Sequence, residues 1–137
     1  MEAAEILGLD IGLKHTGIAR ASNIARIAEP LKTVPTEDVV KTIAEYIQAH
    51  KVESIAVGLP RNLSGEDTRQ TDWVRQWVDK TKTKITTPLY WQDEALTSIE
   101  ARIKNNELRI KTDEHALAAA VILQDFLDTP EAERVVC

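Results

Sequence analysis

The chain has a single cysteine, Cys137, among 137 residues. One thiol excludes an intramolecular disulfide framework and a cysteine-based metal site, so the fold must rest on its apolar core. No apolar run approaches the roughly 20 residues that a membrane span needs. The first residues, MEAAEI, lack the basic segment and long apolar stretch of a secretory signal. We therefore expect one cytoplasmic domain over residues 1–137, without a membrane partner.

Positive charge is also scarce, since 17 Lys and Arg residues face 22 acids and the net charge is −5. This balance disfavours a protein held on nucleic acid by bulk charge alone. Basic residues nevertheless concentrate in residues 61–84 and 102–111. These segments are candidates for guiding a nucleic-acid substrate, and ordinary solvated surfaces are the alternative. The candidates are Arg61, Arg102, Lys104, Arg109 and Lys111.

The stretch EILGLDIGLKHTGIAR, residues 5–20, contains a lone acid within an apolar run. Its pattern predicts a hairpin with Asp10 near the turn, because glycines follow and the apolar residues resume after Gly17. Strand alternation places Asp10 on the same face as Gly8 and Gly12. We expect this glycine face to leave room for a metal ion, a phosphate or a nucleic-acid backbone. An aspartate that only caps the turn is the alternative.

The remaining pattern predicts an α/β fold with one mixed five-stranded sheet, an antiparallel meander followed by parallel strands, and helices on both faces. Trp73 and Trp77, four residues apart, are expected in the core, with base stacking as the alternative. Thr36 is a candidate N-cap. The predicted strands are 5–11, 16–21, 24–28, 54–57 and 85–91; the predicted helices are 37–50, 66–82, one from about 98 that breaks at Asn105-Asn106, and 114–127.

Acidic residues fall where strands end or the last helix begins, which is where α/β sheets bind ligands. The candidates are Asp10, the pair Asp93-Glu94, and Asp113 with His115. Such oxygen-rich donors suit Mg²⁺ or Mn²⁺, and two such ions are a standard device for phosphodiester cleavage. Each residue also has a simpler interpretation: Asp93-Glu94 and Asp113 as helix caps, and His115 as an exposed helix residue.

Four segments, LGLDIGLKHTGIA, VGLPRNLSG, DEALTS and HALAAAVILQDFLD, resemble the YqgF/RuvX family in order and spacing. The resemblance covers essentially the whole chain. It implies an RNase H-like fold and a nuclease that matures the small-subunit ribosomal RNA precursor or resolves Holliday junctions. The expected partner is therefore nucleic acid, either RNA or branched DNA, and a homodimer is expected if a symmetric junction is the substrate.

The resemblance also implies roles for single residues. It indicates Asp10, Asp93, Glu94 and His115 as catalytic, with Glu94 expected to point to the metal rather than its neighbour Asp93. The expected ligands of Mg²⁺ or Mn²⁺ are Asp10, Glu94 and His115. Lys14 and Asn62 match motif residues of the turn and the loop. Together with Arg61 and Arg102 from the basic segments, they are the expected substrate contacts.

The chain departs from the family pattern at four positions. Leu13 stands where the family usually has Thr, and His15 and Ala95 stand where it usually has Arg. An ungapped count through the last helix places His115 on the family's final Asp, with Asp113 two residues out of register. Because imidazole can bind a divalent ion, activity remains compatible with this change, and Mn²⁺ is favoured over Mg²⁺.

Two functions outside this class compete with a nuclease. An actin-like ATPase or kinase shares the DxG hairpin but needs a second lobe with its own DxG loop, which this chain lacks. A catalytically weak RNA-binding or ribosome-associated module is the other alternative. The changes at Ala95 and His115 are compatible with such a module.

Overall fold

The computed structural model of the protein describes residues 2–104 and 113–137. These residues form a six-stranded sheet in the order β3-β2-β1-β4-β5-β6. No helix among them is both long and apolar enough to cross a membrane. The strands are β1 (Glu5–Ile11), β2 (His15–Ser22), β3 (Glu29–Pro35), β4 (Val52–Arg61), β5 (Leu89–Ala95) and β6 (Val135–Val136). The helices are α1 (Val39–Ala49), α2 (Arg69–Thr81), α3 (Leu96–Lys104) and α4 (Glu114–Asp128).

The strand directions confirm the predicted mixed sheet. Strand β2 pairs antiparallel with β1 and with β3, whereas β4 lies parallel to both β1 and β5. The predicted count of five strands is wrong by one, because Val135–Val136 pairs antiparallel with β5. Two residues are too few for an alternation pattern, so this strand has no recognisable signal in the sequence. The backbone N–H of Cys137 also donates to the Leu89 carbonyl at 2.8 Å.

The third strand lies five residues later than expected. The sequence pattern predicts a strand over residues 24–28, but β3 is Glu29–Pro35. Pro30 and Pro35 are tolerated because β3 is the outermost strand of the sheet. A proline there loses no hydrogen bond on the open side.

Strand β4 extends well beyond the predicted residues 54–57. Its parallel pairing with β1 ends at Val57, opposite Leu9, while its pairing with β5 continues to Arg61. From Gly58 onward β4 is therefore paired with one strand only. Pro60 has no backbone N–H to donate, and on the unpaired side of β4 no neighbouring strand loses a hydrogen bond. The chain consequently leaves the sheet only after Arg61.

Helices cover both faces of the sheet, as predicted. Leu7, Leu9 and Ile11 face α1 and α2 in one core cluster, against which Trp73 and Trp77 pack. On the opposite face, α4 packs with Phe126 and Leu123 against small residues of the first, second and fourth strands. The core interpretation of both tryptophans is thus confirmed, and each indole stays partly exposed.

The glycine-bearing face of the sheet is not open to a ligand, because helix α4 packs against it. A β-carbon at Gly8 would lie 2.6 Å from Leu123 Cβ, and one at Gly58 would overlap the Ile122 side chain. At Gly17 it would overlap the backbone of His115. The expectation of room for a ligand is therefore wrong at Gly8, and α4 fills the space at Gly17 and Gly58 in the same way. Their function is to let α4 approach closely and bring its first turn to the end of β1.

Candidate active site

Asp10 lies one residue before the end of β1, directly opposite Gly17 of β2. It shares the face of the sheet that α4 covers, and its side chain is partly buried. Burial raises the pKa of the Asp10 carboxyl above its ordinary range, and the electrostatic influence of the nearby His115 opposes that rise. A cation beside this carboxylate would offset the cost of keeping it charged.

A buried hydrogen-bond network fixes the turn that follows Asp10. Gly12 N–H donates to the His15 carbonyl at 3.1 Å. The Thr36 hydroxyl donates to the Gly12 carbonyl at 2.6 Å and lies 2.8 Å from the Thr16 hydroxyl. Thr36 was predicted to cap the following helix, but its side chain is engaged in this network instead. Helix α1 therefore begins only at Val39, after a short 3-10 turn.

His115 is brought to Asp10 by the close contact of α4 with Gly17. Asp113 is the N-cap of α4, and its Oδ1 accepts a 2.8 Å hydrogen bond from the His115 backbone N–H. Burial raises the pKa of the Asp113 carboxyl, but hydrogen bonds led by this one outweigh it, so the net shift is downward. The capping interpretation of Asp113 is thus confirmed. The centroid of the His15 ring lies 5.9 Å from that of His115.

Glu94 lies apart from Asp10 and His115, in a buried position between β5, α3 and α4. Its side chain is nearly fully buried, and Oε1 has no hydrogen-bond partner among the described residues. Burial, together with the hydrogen bond and charge of Asp125, raises the pKa of Glu94 to about 9. The shift favours the protonated form of Glu94 in this position, and a protonated carboxyl is a poor metal ligand.

Asp125 also binds Arg102, which was predicted to contact substrate. The guanidinium donates to both carboxylate oxygens, from Nη1 at 2.7 Å and from Nη2 at 3.0 Å. Burial raises the pKa of Asp125, but the hydrogen bonds from Arg102 and Glu94 outweigh burial and lower it. Sequence reasoning missed Asp125. The available signal was its spacing of three residues from Ile122, on an apolar helix face that contacts α3.

Asp93 points away from its neighbour Glu94 and is exposed. Its Oδ1 lies 3.4 Å from Arg61 Nε, and Arg61 Nη1 lies 3.3 Å from Asp67 Oδ1. Arg61 Nη1 also donates to the Gly65 carbonyl at 3.1 Å. Arg61 therefore links the end of β5 to the loop after β4, and two carboxylates already balance its charge.

Asn62 shapes the same loop through its side-chain oxygen. This oxygen accepts hydrogen bonds from the backbone N–H groups of Ser64, at 3.0 Å, and Glu66, at 2.9 Å. Lys14 lies in the β1–β2 turn with an exposed side chain, close in sequence to Asp10.

The structure thus groups the predicted site residues into separate clusters. Asp10 and His115 come together, with Lys14 in the adjacent turn, whereas Glu94 lies with Arg102, and Asp93 lies with Arg61. Within residues 2–104 and 113–137, no three His, Cys, Asp or Glu side chains form a ready metal cluster. The predicted basic residues Arg109 and Lys111, the side chain of Lys104 and the helix break at Asn105-Asn106 lie outside the described residues.

Comparisons with known proteins extend these observations. The family model RuvX, described as Holliday junction resolvase, matches residues 4–129. A Roseiflexus sp. (strain RS-1) protein named "Putative pre-16S rRNA nuclease" is 34% identical over 138 residues, covering 93% of this chain and 96% of that protein. A Bacteroides fragilis protein of the same name is 31% identical over 134 residues, covering 92% and 97%.

Two solved structures share the fold at low sequence identity. Thermus thermophilus RuvC in complex with a Holliday junction substrate has a TM-score of 0.59 at 14% identity, covering 98% of this chain and 99% of that chain. Fowlpox virus resolvase with Holliday junction DNA has a TM-score of 0.51 at 11% identity, covering 90% and 97%. These likenesses confirm the predicted RNase H-like fold.

Proposed function

Because the chain belongs to the RuvX family, we propose that it is a divalent-metal-dependent endonuclease that hydrolyses phosphodiester bonds in RNA or branched DNA. The names of the relatives favour a ribosomal RNA precursor as the substrate. The structural neighbours were solved with Holliday junctions, which keeps branched DNA as the second substrate class. A cytoplasmic location and a homodimer remain predictions.

One observation carries this proposal: the partly buried carboxylate of Asp10 lies beside His115 at the end of a central strand. The donor set fits a divalent cation, because a carboxylate supplies charge and an imidazole supplies a neutral nitrogen. A site with one imidazole suits Mn²⁺ and still accepts Mg²⁺. Burying the Asp10 carboxylate is unfavourable because little positive charge lies near it, and a bound divalent ion would offset this.

A bound ion would polarise the phosphoryl oxygen and supply activated water at neutral pH. Asp10 and His115 would hold it, and the Asp113 cap and the Gly17 contact keep the first turn of α4 in register with β1. In a two-metal scheme Glu94 would serve as a further ligand, and only in its ionised form. Asp93, on the far side of Glu94, would act through Arg61 and the loop after β4.

Lys14, Arg61, Asn62 and Arg102 are the proposed contacts to substrate. Lys14 is exposed at the turn next to Asp10, so its charge is available to a phosphate. Arg61 and Arg102 are each paired with carboxylates, which weakens their pull on a substrate. Asn62 would act by holding the loop shape. Lys14 should therefore contribute most to phosphate binding.

A cleavage panel tests the proposed function. Labelled ribosomal precursor RNA, unrelated single-stranded RNA, duplex DNA and a four-way DNA junction are incubated with the protein and Mn²⁺, Mg²⁺ or EDTA. The proposal expects cleavage of at least one branched or RNA substrate with either metal and none in EDTA. Cleavage that persists in EDTA, or no cleavage of any substrate with either metal, would refute it.

One observation favours a second candidate, a nucleic-acid-binding module with little catalytic power. Glu94 is buried and hydrogen-bonded to Asp125 rather than grouped with Asp10 and His115. Under this alternative the protein binds the same substrates but leaves them intact with both metals. The cleavage panel, run together with a binding assay, separates the two functions.

A further inference from the structure

A cavity of about 390 Å³ lies between the β1–β2 turn and the start of α2. Its lining comes from Leu13 in the turn and from Arg69, Gln70 and Trp73 of α2. It is separate from the Asp10–His115 cluster, since Leu9 and Ile11 on the α2 side of β1 alternate with Asp10 on the α4 side. Neither the metal site nor the proposed phosphate contacts account for it.

The walls of this cavity combine an aromatic plane, an aliphatic side chain and polar donors. Leu13 is 73% exposed, so its apolar surface is available to a ligand. Trp73 packs partly against the core below, so its indole is held in place while part of it faces the cavity. Arg69 is exposed and forms no ion pair within the described part of the chain.

An indole, an aliphatic wall and a nearby guanidinium match the needs of an unpaired nucleobase. Proteins hold such bases by stacking on aromatic rings, with arginine reaching the backbone or the base face. The amide of Gln70 could hydrogen-bond a base edge. An acidic peptide would also match apolar walls and a guanidinium, and we favour a nucleobase because the substrate proposed for the neighbouring Asp10 site is a nucleic acid.

The cavity lies within reach of a strand bound at Asp10. Leu13 follows Asp10 by three residues, so their α-carbons are at most roughly 10 Å apart. That span equals about three nucleotides at the about 3.4 Å rise of a stacked strand. A strand with one phosphate at Asp10 can therefore cross the sheet end and place a nearby base against Trp73.

We propose that the Leu13–Trp73 cavity binds one unpaired nucleobase, within about three nucleotides of the phosphate held at Asp10. This inference rests on the proposed nuclease function and narrows its substrate class. The preferred substrate carries an unpaired segment next to the cleavage site. A continuous duplex would have to flip a base out of its stack to fill the cavity, which is unfavourable.

An abasic scan tests this directly. A short labelled single-stranded RNA is prepared as a set in which one abasic residue occupies each position in turn. Binding and Mn²⁺-dependent cleavage are measured for each member. Loss of one stacked base should weaken binding roughly 5- to 150-fold. The proposal expects this loss at a single position, within about three nucleotides of the cut, and little effect at its neighbours.

Variants then connect that position to the cavity. Leu13→Ser removes an exposed side chain, so the fold should survive. In this variant, an abasic residue at the sensitive position of the RNA should weaken binding less than it does in wild type. Ile27→Ser is the matched control, because Ile27 is 71% exposed at the connection between β2 and β3. Trp73→Leu keeps an apolar core contact but removes the aromatic plane on which a base would stack. In this variant, an abasic residue should weaken binding no more at the sensitive position than at its neighbours.

The outcomes separate the two proposals. Cleavage of the intact RNA with no position-dependent abasic effect would overturn the cavity proposal and leave the nuclease standing. A position-dependent effect that Leu13→Ser and Ile27→Ser leave equally intact would overturn it as well. Binding with the expected abasic profile but without cleavage would support the cavity and count against RNA as the substrate that is cut. Absence of binding to the RNA would overturn the cavity proposal, whereas the nuclease is refuted only if the whole cleavage panel stays uncut.

Discussion

The backbone carbonyl oxygen of His115 lies against Gly17, in the space that a β-carbon at residue 17 would occupy. Gly17 is also the strand partner of Asp10. A single close approach between α4 and β2 therefore sets the position of His115 relative to the Asp10 carboxylate. Since no side chain fits between the helix and the strand, the geometry of the candidate site depends on glycine at this position.

Gly17→Ala should separate the first turn of α4 from the sheet. The overlap is with backbone, which cannot rotate away, so we expect a loss of at least about 2 kcal/mol in the free energy of unfolding. Cleavage should fall further than stability explains, because His115 is displaced from Asp10. Urea unfolding measures the first effect, and cleavage kinetics measure the second.

Gly65→Asn is the control for Gly17→Ala. Gly65 has open space around its α-carbon and a φ of 77°, a conformation that asparagine tolerates better than other side chains. The Gly65→Asn substitution should lower the free energy of unfolding by less than about 1 kcal/mol. Equal stability of Gly17→Ala and wild type would show that the helix accommodates a methyl group there, contrary to the observed contact.

Glu94 should impose a pH dependence on stability. Its folded-state pKa is raised by burial and by Asp125 to about 9, from an ordinary 4.5. Between these values the folded chain holds a proton that the unfolded chain releases. The free energy of unfolding should therefore fall as pH rises through this window, by up to about 1.4 kcal/mol per pH unit from this group.

Glu94→Gln removes this titration and should flatten the slope of stability against pH. The variant should be more stable than wild type above pH 7, as measured by urea unfolding across the window. Asp93→Asn, at the exposed neighbouring position, is the control and should retain the wild-type slope. Identical slopes for Glu94→Gln and wild type would show that Glu94 is ionised in the folded chain.

The different outcomes for Asp10 and Asp125 show what the sequence can and cannot reveal. Asp10 is recognisable because its signal is local: an acid among alternating apolar residues, followed by glycines. Asp125 has only a weak local signal, its spacing from Ile122, because its partners Glu94 and Arg102 are distant in the sequence and only the fold brings them together. Contacts between residues that are distant in the sequence cannot be predicted from local hydrophobic periodicity.

Proline positions show the same limit. Pro30 and Pro60 each argue against a strand when read locally, yet both lie in strands. Whether a missing N–H matters depends on which side of the strand has a neighbour, and that is a property of the assembled sheet. The hairpin of β1 and β2 and the last helix were predictable because their patterns are local and strongly apolar.

Lys14 should set part of the salt dependence of nucleic-acid binding. Lys14→Gln removes one exposed charge next to Asp10, so the slope of log binding constant against log salt should decrease by about 0.7 to 0.9. Lys51→Gln is the matched control, because Lys51 lies at the opposite end of β1, where its carbonyl accepts from Glu5 N–H. A binding titration at several salt concentrations measures both. Equal slopes for the two variants would exclude Lys14 as a phosphate contact.

His115 substitutions should identify the last metal ligand. His115→Ala should reduce Mn²⁺-dependent cleavage by more than the roughly 10- to 100-fold typical of residues that only support a ligand. His115→Asp should keep activity and shift the preference toward Mg²⁺, which favours oxygen donors. Asp113→Asn retains the cap and should be nearly silent. An inactive Asp113→Asn with an active His115→Ala would instead identify Asp113 as the ligand.

Asp10→Asn gives the most direct test of the proposed metal-dependent nuclease. The substitution keeps the side-chain volume and removes a partly buried charge, so the free energy of unfolding should be unchanged or higher. Asp79→Asn, at an exposed position of α2, is the control. Cleavage of labelled RNA in Mn²⁺ is measured for wild type and both variants. We predict a loss of at least about a hundredfold for Asp10→Asn alone, whereas cleavage by Asp10→Asn at the wild-type rate would show that the chemistry lies elsewhere.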